Sequence, residues 1–134
     1  MKLNHANYYL VLLTITLVWI FLGKEYYCNY APIIVFLFGF PVYVFLFFKH
    51  IGAFSNQLKI RDSVLFKKYC VQVGYFKDDM IHGLNLFNNS DFEKLTDQEL
   101  FEHYRLAKSS IKFVLLIFVT FPAIIVLLNL IQQT

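Results

Sequence analysis

The side chains able to do chemistry are few and scattered. The four histidines stand at His5, His50, His82 and His103, and the two cysteines at Cys28 and Cys70. No CxxC pair and no Cys/His cluster has the spacing of a structural zinc site. Asp78, Asp79 and His82 supply two carboxylates and one imidazole within five residues, but no further ligand follows at metal-site spacing. The stretch therefore reads as a solvated loop. There is no GxSxG, HExxH, GK[ST] phosphate loop or Gly-rich dinucleotide turn. Ser109-Ser110 beside Lys108 reads as helix surface. A catalytic site needs convergent groups on a pocket, so the expectation is a protein that is not an enzyme, with no cofactor, no metal and no small-molecule substrate.

Charge is the stronger signal. The chain has 134 residues, and ten of its twelve Lys and Arg lie between Lys49 and Lys112. Lys59, Arg61, Lys67 and Lys68 cluster in the segment Asn56–Val73, where Leu58, Leu65, Tyr69 and Val73 fall near one helical face. A basic amphipathic helix of this kind suits contact with an anionic membrane surface. Nucleic acid is the rival reading of a basic patch. A patch this small, this close to apolar segments, does not favour it.

The elements that position these residues are set by hydrophobicity. Hydrophobic residues make up 58% of the chain, aromatic residues 19% and charged residues 16%; ordinary soluble domains are about 45–50% apolar and about 25% charged. The excess is concentrated in three blocks, at about residues 6–23, 31–48 and 111–131. Eighteen residues of helix cover roughly 27 Å, enough for a thin hydrocarbon core. The fold class expected is all-α: three transmembrane helices, with a cytosolic amphipathic helical segment between the second and third. The organisation follows as an N-terminal transmembrane hairpin over 1–48, the cytosolic segment over 49–110, and a C-terminal span with a short tail over 111–134.

The first block reads as an uncleaved span, because no small-x-small cleavage site follows it and bulky Tyr26 and Tyr27 precede Cys28. Pro32 suits a first helical turn. Pro41 and Pro122 fall inside the second and third spans, where each removes a backbone hydrogen bond and marks a candidate hinge. Gly39 reads more simply as a packing notch. No Asp, Glu, Lys, Arg or His lies inside the first two blocks, and the third has only Lys112 at its edge. Ionisable groups within a bilayer mark ion and proton paths, so the spans read as structural.

In the cytosolic segment, Gly74, Gly83 and the run from Asn88 to Asp91 read as turns. Thr96-Asp97-Gln98-Glu99 reads as a capping box with Thr96 as the cap, Glu99 reaching back, and Leu95 and Leu100 as the staple. Leu100, Tyr104, Ala107 and Ile111 then step along one helical face, a candidate partner-contact surface. No Gly or Pro separates Thr96 from Phe121, so one unbroken helix should enter the third span, as a rigid anchor or as a lever.

The residues Leu58-Lys59, Asp62, Leu65-Phe66, Tyr69 and Gly74-Tyr75-Phe76, followed by Asp97-Gln98-Glu99-Leu100, Arg105 and Phe113 before a last span, resemble small bacterial membrane proteins of the universal stress protein B type. The resemblance covers roughly the last eighty residues; the extra first span departs from it. In size and layout the chain is also similar to bacteriocin immunity and superinfection-exclusion proteins. Those likenesses imply a bacterial inner-membrane protein that works by protein–protein contact. The partners expected are membrane lipid and another membrane protein or a second copy. Self-protection by immunity or exclusion is the leading role. An accessory or stress-related subunit of a larger membrane complex is the first alternative, and a small oligomeric channel or lytic protein the second.

Lys and Arg accumulate on the cytoplasmic side of membrane proteins. The N-terminus and the 49–112 segment are therefore expected inside, and the C-terminus outside. In intact cells, a membrane-impermeant maleimide should modify Cys28 and leave Cys70 untouched until the cells are lysed. The converse pattern would invert the orientation.

Overall fold

The computed structural model describes residues 4–23, 28–72, 79–87 and 89–133. Helix α1, His5–Leu22, begins at Asn4, whose side-chain oxygen accepts from the Ala6 N–H at 3.2 Å. It stops at Gly23, whose N–H bonds Trp19 O. Helix α2 runs Ala31–Arg61 and contains Pro41. Helix α3, Ser63–Tyr69, leads into strand β1, Cys70–Gln72, which pairs antiparallel with β2, Asp79–Ile81, in the register Cys70↔Ile81. A 3-10 turn, Gly83–Leu86, and a short helix α4, Ser90–Glu93, precede helix α5, Gln98–Gln132. Among the described residues, α1, α2 and α5 are the helices long and apolar enough to cross a membrane. The chain is mostly helical, with one short two-stranded ribbon.

Three local expectations need correction. The segment Asn56–Val73 is not one helix. Asp62 divides it: its carboxylate accepts from the Leu65 N–H at 2.9 Å and caps α3, an interaction that competes with helix continuation. Residues to Arg61 thus belong to α2, Cys70–Gln72 to the ribbon, and Val73 lies outside the described residues. The cap of α5 is Asp97 rather than Thr96. Its Oδ1 accepts from the N–H groups of both Glu99 and Leu100 at 3.1 Å, so two of the helix's unpaired donors are satisfied by one carboxylate. Glu99, expected to reach back to the cap, points elsewhere. Ser110, expected at the surface, is fully buried and donates to Leu106 O at 2.9 Å. The uninterrupted last helix is as its sequence requires; α5 passes through Pro122 without a break.

The chain divides into two compact units, one of Met1–Val44 with Lys112–Thr134 and the other of Phe45–Ile111. In the first, Tyr9, Leu12, Thr16 and Ile20 form the buried seam of α1, at three- and four-residue steps. Val35, Gly39 and Tyr43 do so for α2, and Ile117, Ile124 and Leu128 for α5. The polar groups on these seams are satisfied within the chain. Tyr9 bonds Thr120, the Tyr43 hydroxyl donates to His5 O at 2.6 Å, and the Thr16 hydroxyl donates to Leu12 O at 2.8 Å. Tyr43 and Phe113 stack at 5.1 Å between ring centres. The outward faces carry Leu10, Val11, Ile15, Phe21, Leu37, Val119 and Val126, all exposed. In water so much apolar surface would be an aggregation hazard; in hydrocarbon it costs nothing.

The second unit has an inward core. Ile51, Phe54 and Leu58 of α2 meet Phe66, Ile81, Leu86, Phe92, Leu100, Tyr104 and Ala107. Phe92 lies at its centre, with ring contacts at 5.2 Å to Phe54, 5.1 Å to Tyr69 and 5.7 Å to Tyr104. Fully burying a side chain of this size stabilises by about 1.5–3 kcal/mol. Two buried polar groups of this unit are paired inside it: the Ile81 N–H donates to the Ser55 hydroxyl at 3.0 Å, and the Tyr104 hydroxyl donates to Leu86 O at 3.1 Å.

Gly39 gives the packing of the first unit a direct test. A Cβ built there would meet Ile117 Cδ1 at 2.7 Å and Leu12 Cδ2 at 3.0 Å. Both atoms are the far ends of flexible side chains, so one methyl group can be accommodated and a larger side chain cannot. Gly39→Ala should lower the melting temperature slightly in detergent, whereas Gly39→Leu should cost at least about 1–3 kcal/mol. Equal stability of the two variants would show that the helices do not approach closely at this position.

Candidate functional site

The residues singled out from the sequence fall mostly in the Phe45–Ile111 unit, and the structure gives them different surroundings from those expected. Leu100, Tyr104 and Ala107 do not form an open contact face. They are 2%, 2% and 0% exposed and pack into the unit's own core. The periodicity was that of an amphipathic helix, and a second amphipathic helix of the same chain, α2, takes up the apolar side. Ile111, the fourth of the set, is half-buried.

The basic cluster divides. The Arg61 guanidinium, at the end of α2, bonds Asp97 through one nitrogen and Glu99 through the other, the latter at 2.8 Å. Gln57, one turn earlier, donates to the other Glu99 oxygen at 3.1 Å. The carboxylate that caps α5 therefore also receives the arginine of α2. Lys68 of α3 reaches Asp91 of α4 at 2.9 Å, and the Tyr69 hydroxyl donates to the same carboxylate oxygen at 2.7 Å. Lys59 lies 5.7 Å from the centre of the Phe66 ring. Lys67 points outward on α3. A third pair links Lys108 of α5 to Glu93 of α4 at 2.9 Å, with the Tyr104 hydroxyl also at 2.9 Å from the ammonium.

Proton affinities follow these contacts. Hydrogen bonds from Glu99 first and Asp97 second hold the Arg61 guanidinium above its ordinary value. Asp97 is held below the usual carboxylate value, chiefly by the Leu100 N–H and then by Arg61. Lys68 and then Tyr69 lower Asp91, and Lys108 lowers Glu93. Tyr69 and Asp91 raise Lys68, while Tyr104 and Glu93 raise Lys108. Glu93 was not selected from the sequence, and Asp91 and Tyr69 were read there only as a turn residue and as part of an apolar helical face. Their partners are between 15 and 23 positions distant or adjacent, at no helical spacing, so only the folded chain brings them together.

The remaining candidates are dispersed. The His82 Nδ1 accepts from the Leu84 N–H at 3.3 Å and caps the 3-10 turn. Asp78 lies outside the described residues. His50 and His103 bring their rings to 6.0 Å from α2 and α5. Among the described residues no group of three or more His, Cys, Asp or Glu could hold a metal ion. Cys28 and Cys70 are not joined in a disulfide, and the Cys28 thiol lies 3.3 Å from Ile20 O. Pro41 and Pro122 stand inside helices that continue on either side. Along α1, Thr14, Ile15, Val18, Trp19, Leu22 and Gly23 line an open apolar groove of about 470 Å³, and the Thr14 hydroxyl is already bonded to Leu10 O at 2.8 Å. The long helices present apolar side chains outward, and the middle unit presents paired charges. No family model, curated protein or solved structure matches this chain.

The ion pairs carry a pH signature. The lowered carboxylates of Asp91, Glu93 and Asp97 contribute stability above the ordinary carboxylate range and lose it as pH falls through their folded values. The raised Lys68, Lys108 and Arg61 contribute below their ordinary values and lose it only in strong base. Thermal melting followed by circular dichroism should be flat near neutrality and fall below about pH 4. Asp91→Asn should remove part of that acid slope. A melting temperature unchanged between neutral and acid pH would show that the pairs contribute nothing.

Proposed function

We propose that the chain is a small non-enzymatic polytopic protein of the bacterial inner membrane that acts by protein–protein contact, and that its role is self-protection, as an immunity or exclusion protein. The observation that carries the contact reading is the partition of polarity on α1, α2 and α5. The hydroxyls of Tyr9, Tyr43, Thr16 and Thr120 are turned inward or onto the helix's own backbone, and Leu, Ile, Val and Phe side chains are turned outward. Outward surfaces of this kind recognise other helices through van der Waals packing and shape. They offer little to a soluble substrate.

The distribution of Lys and Arg supports an orientation with the N-terminus and the Phe45–Ile111 unit in the cytosol and the C-terminus outside. Pro41 and Pro122 give α2 and α5 places to adapt to a partner, since each leaves a carbonyl one turn earlier without its usual donor. The size and layout shared with immunity and exclusion proteins favour self-protection over the other contact roles.

The test has two parts. A photo-crosslinking amino acid at Ile15 or Val18, on the outward side of α1, should give a discrete adduct with one membrane protein in the native membrane. Deletion of the gene should sensitise cells to a pore-forming bacteriocin, a phage or a conjugating donor. Unchanged survival in all three challenges, together with a stable co-purifying complex, would replace self-protection with an accessory-subunit role. Lipid adducts alone would remove the contact reading itself.

A further inference from the structure

We infer that the 3-10 turn Gly83–Leu86 is an interfacial anchor that inserts Leu84 into the boundary between headgroups and acyl chains. The membrane-surface contact of this protein is then this turn and not the basic run from Lys59 to Lys68. The inference rests on the reading of α2 and α5 as spans, and goes beyond it by naming a second kind of lipid contact.

The argument is one of level along the helices. The apolar part of α2 ends at Phe48, before Lys49, and that of α5 begins at Ile111, before Lys112. A Cβ built on Gly83 would lie 3.1 Å from Phe47 Cζ and 3.5 Å from Ile111 Cδ1. The turn therefore touches the last side chains of one apolar block and the first of the other. Helical side chains tilt toward the helix N-terminus, and Gly83 meets the far end of the Phe47 ring, which also packs against the core of the unit.

The residues on either side of the turn lie farther along the helices. The Ile81 N–H donates to the Ser55 hydroxyl, which itself donates to Ile51 O at 2.7 Å; Ile51 is one helical turn beyond Phe47. Leu86 O accepts from the Tyr104 hydroxyl, and Tyr104 precedes Ile111 by seven residues, or about 10 Å of helix. The chain thus descends to Gly83 and climbs away after it. Leu84, next to that lowest point, is 66% exposed. Phe48, the last residue of the apolar part of α2, is also exposed. In the turn the Leu84 N–H is capped by His82 and the Asn85 N–H bonds His82 O, which suits a segment at the edge of hydrocarbon, where unpaired backbone is costly.

The basic run lies at another level. Ile60 is twelve residues beyond Phe48 on the same helix, about 18 Å along its axis. Spans tilt by about 0–40°, which leaves at least about 14 Å of height against a headgroup layer of about 5–8 Å. Ile60, 84% exposed, therefore stands in water.

The test uses the full-length chain in nanodiscs of phosphatidylcholine and phosphatidylglycerol, with its one tryptophan removed by Trp19→Phe. A single new tryptophan is introduced by Leu84→Trp, Ile60→Trp or Val119→Trp, all at exposed positions, and each variant is first checked for unchanged helicity and melting. Leu84→Trp should emit to the blue of Ile60→Trp, resist aqueous acrylamide, and be quenched most by lipids brominated near the top of the acyl chain. Val119→Trp should be quenched most by lipids brominated deeper. If Leu84→Trp is as red and as acrylamide-sensitive as Ile60→Trp while Val119→Trp stays lipid-quenched, the anchor is overturned and the spans survive. If Val119→Trp is water-exposed as well, both readings are lost together.

Discussion

Hydrocarbon cannot hydrogen-bond, and that single constraint organises the long helices of this protein. Every backbone polar group in such a solvent needs a partner from within the chain, which leaves helices as the available form for single segments. The hydroxyls obey the same rule. Thr14, Thr16 and Thr120 each donate to the carbonyl one turn earlier, and Tyr43 finds His5 O across the unit. With polarity resolved internally, close approach is limited by side-chain volume. That is why Gly39 sits opposite Ile117 and Leu12.

The Phe45–Ile111 unit follows the opposite rule. Its apolar side chains turn inward around Phe92, and its charges pair at the rim: Arg61 with Asp97 and Glu99, Lys68 with Asp91, Lys108 with Glu93. Ion pairs this exposed contribute little individually, with medians of about 0–1 kcal/mol. Their value here is in register. One carboxylate, Asp97, both caps α5 and holds the end of α2, so the start of one helix is fixed against the end of the other. Most of the stability must come from the aromatic and aliphatic core, because burial of side chains this large outweighs screened surface attraction.

The three long apolar helices were legible in the sequence because length and hydropathy are properties of a single segment. The continuity of α5 was legible for the same reason, since nothing between Thr96 and Phe121 interrupts it. Where a residue had two possible roles, sequence pattern was insufficient. Asp62 can sit on a helix or cap the next one, and it caps. Thr96 and Asp97 are both competent caps, and the charged one, able to accept from two N–H groups, prevailed. The stripe Leu100–Tyr104–Ala107 was read correctly as apolar and helical, but a stripe does not say whether its cover comes from another protein or from residues 51–92 of its own chain. The three-residue ribbon is too short to leave an alternation, and half of what surrounds it, including Val73 and Asp78, lies outside the described residues.

The account stands on lipid being the solvent of α1, α2 and α5. Extraction of native membranes tests this most directly: the membranes are washed with alkaline carbonate, then with urea, and the chain is followed between pellet and supernatant. It should remain entirely with the pellet and be released only by detergent. Release into the aqueous wash would mean that the outward Leu, Ile, Val and Phe side chains are covered by protein, and the assignment of these helices as spans would be wrong.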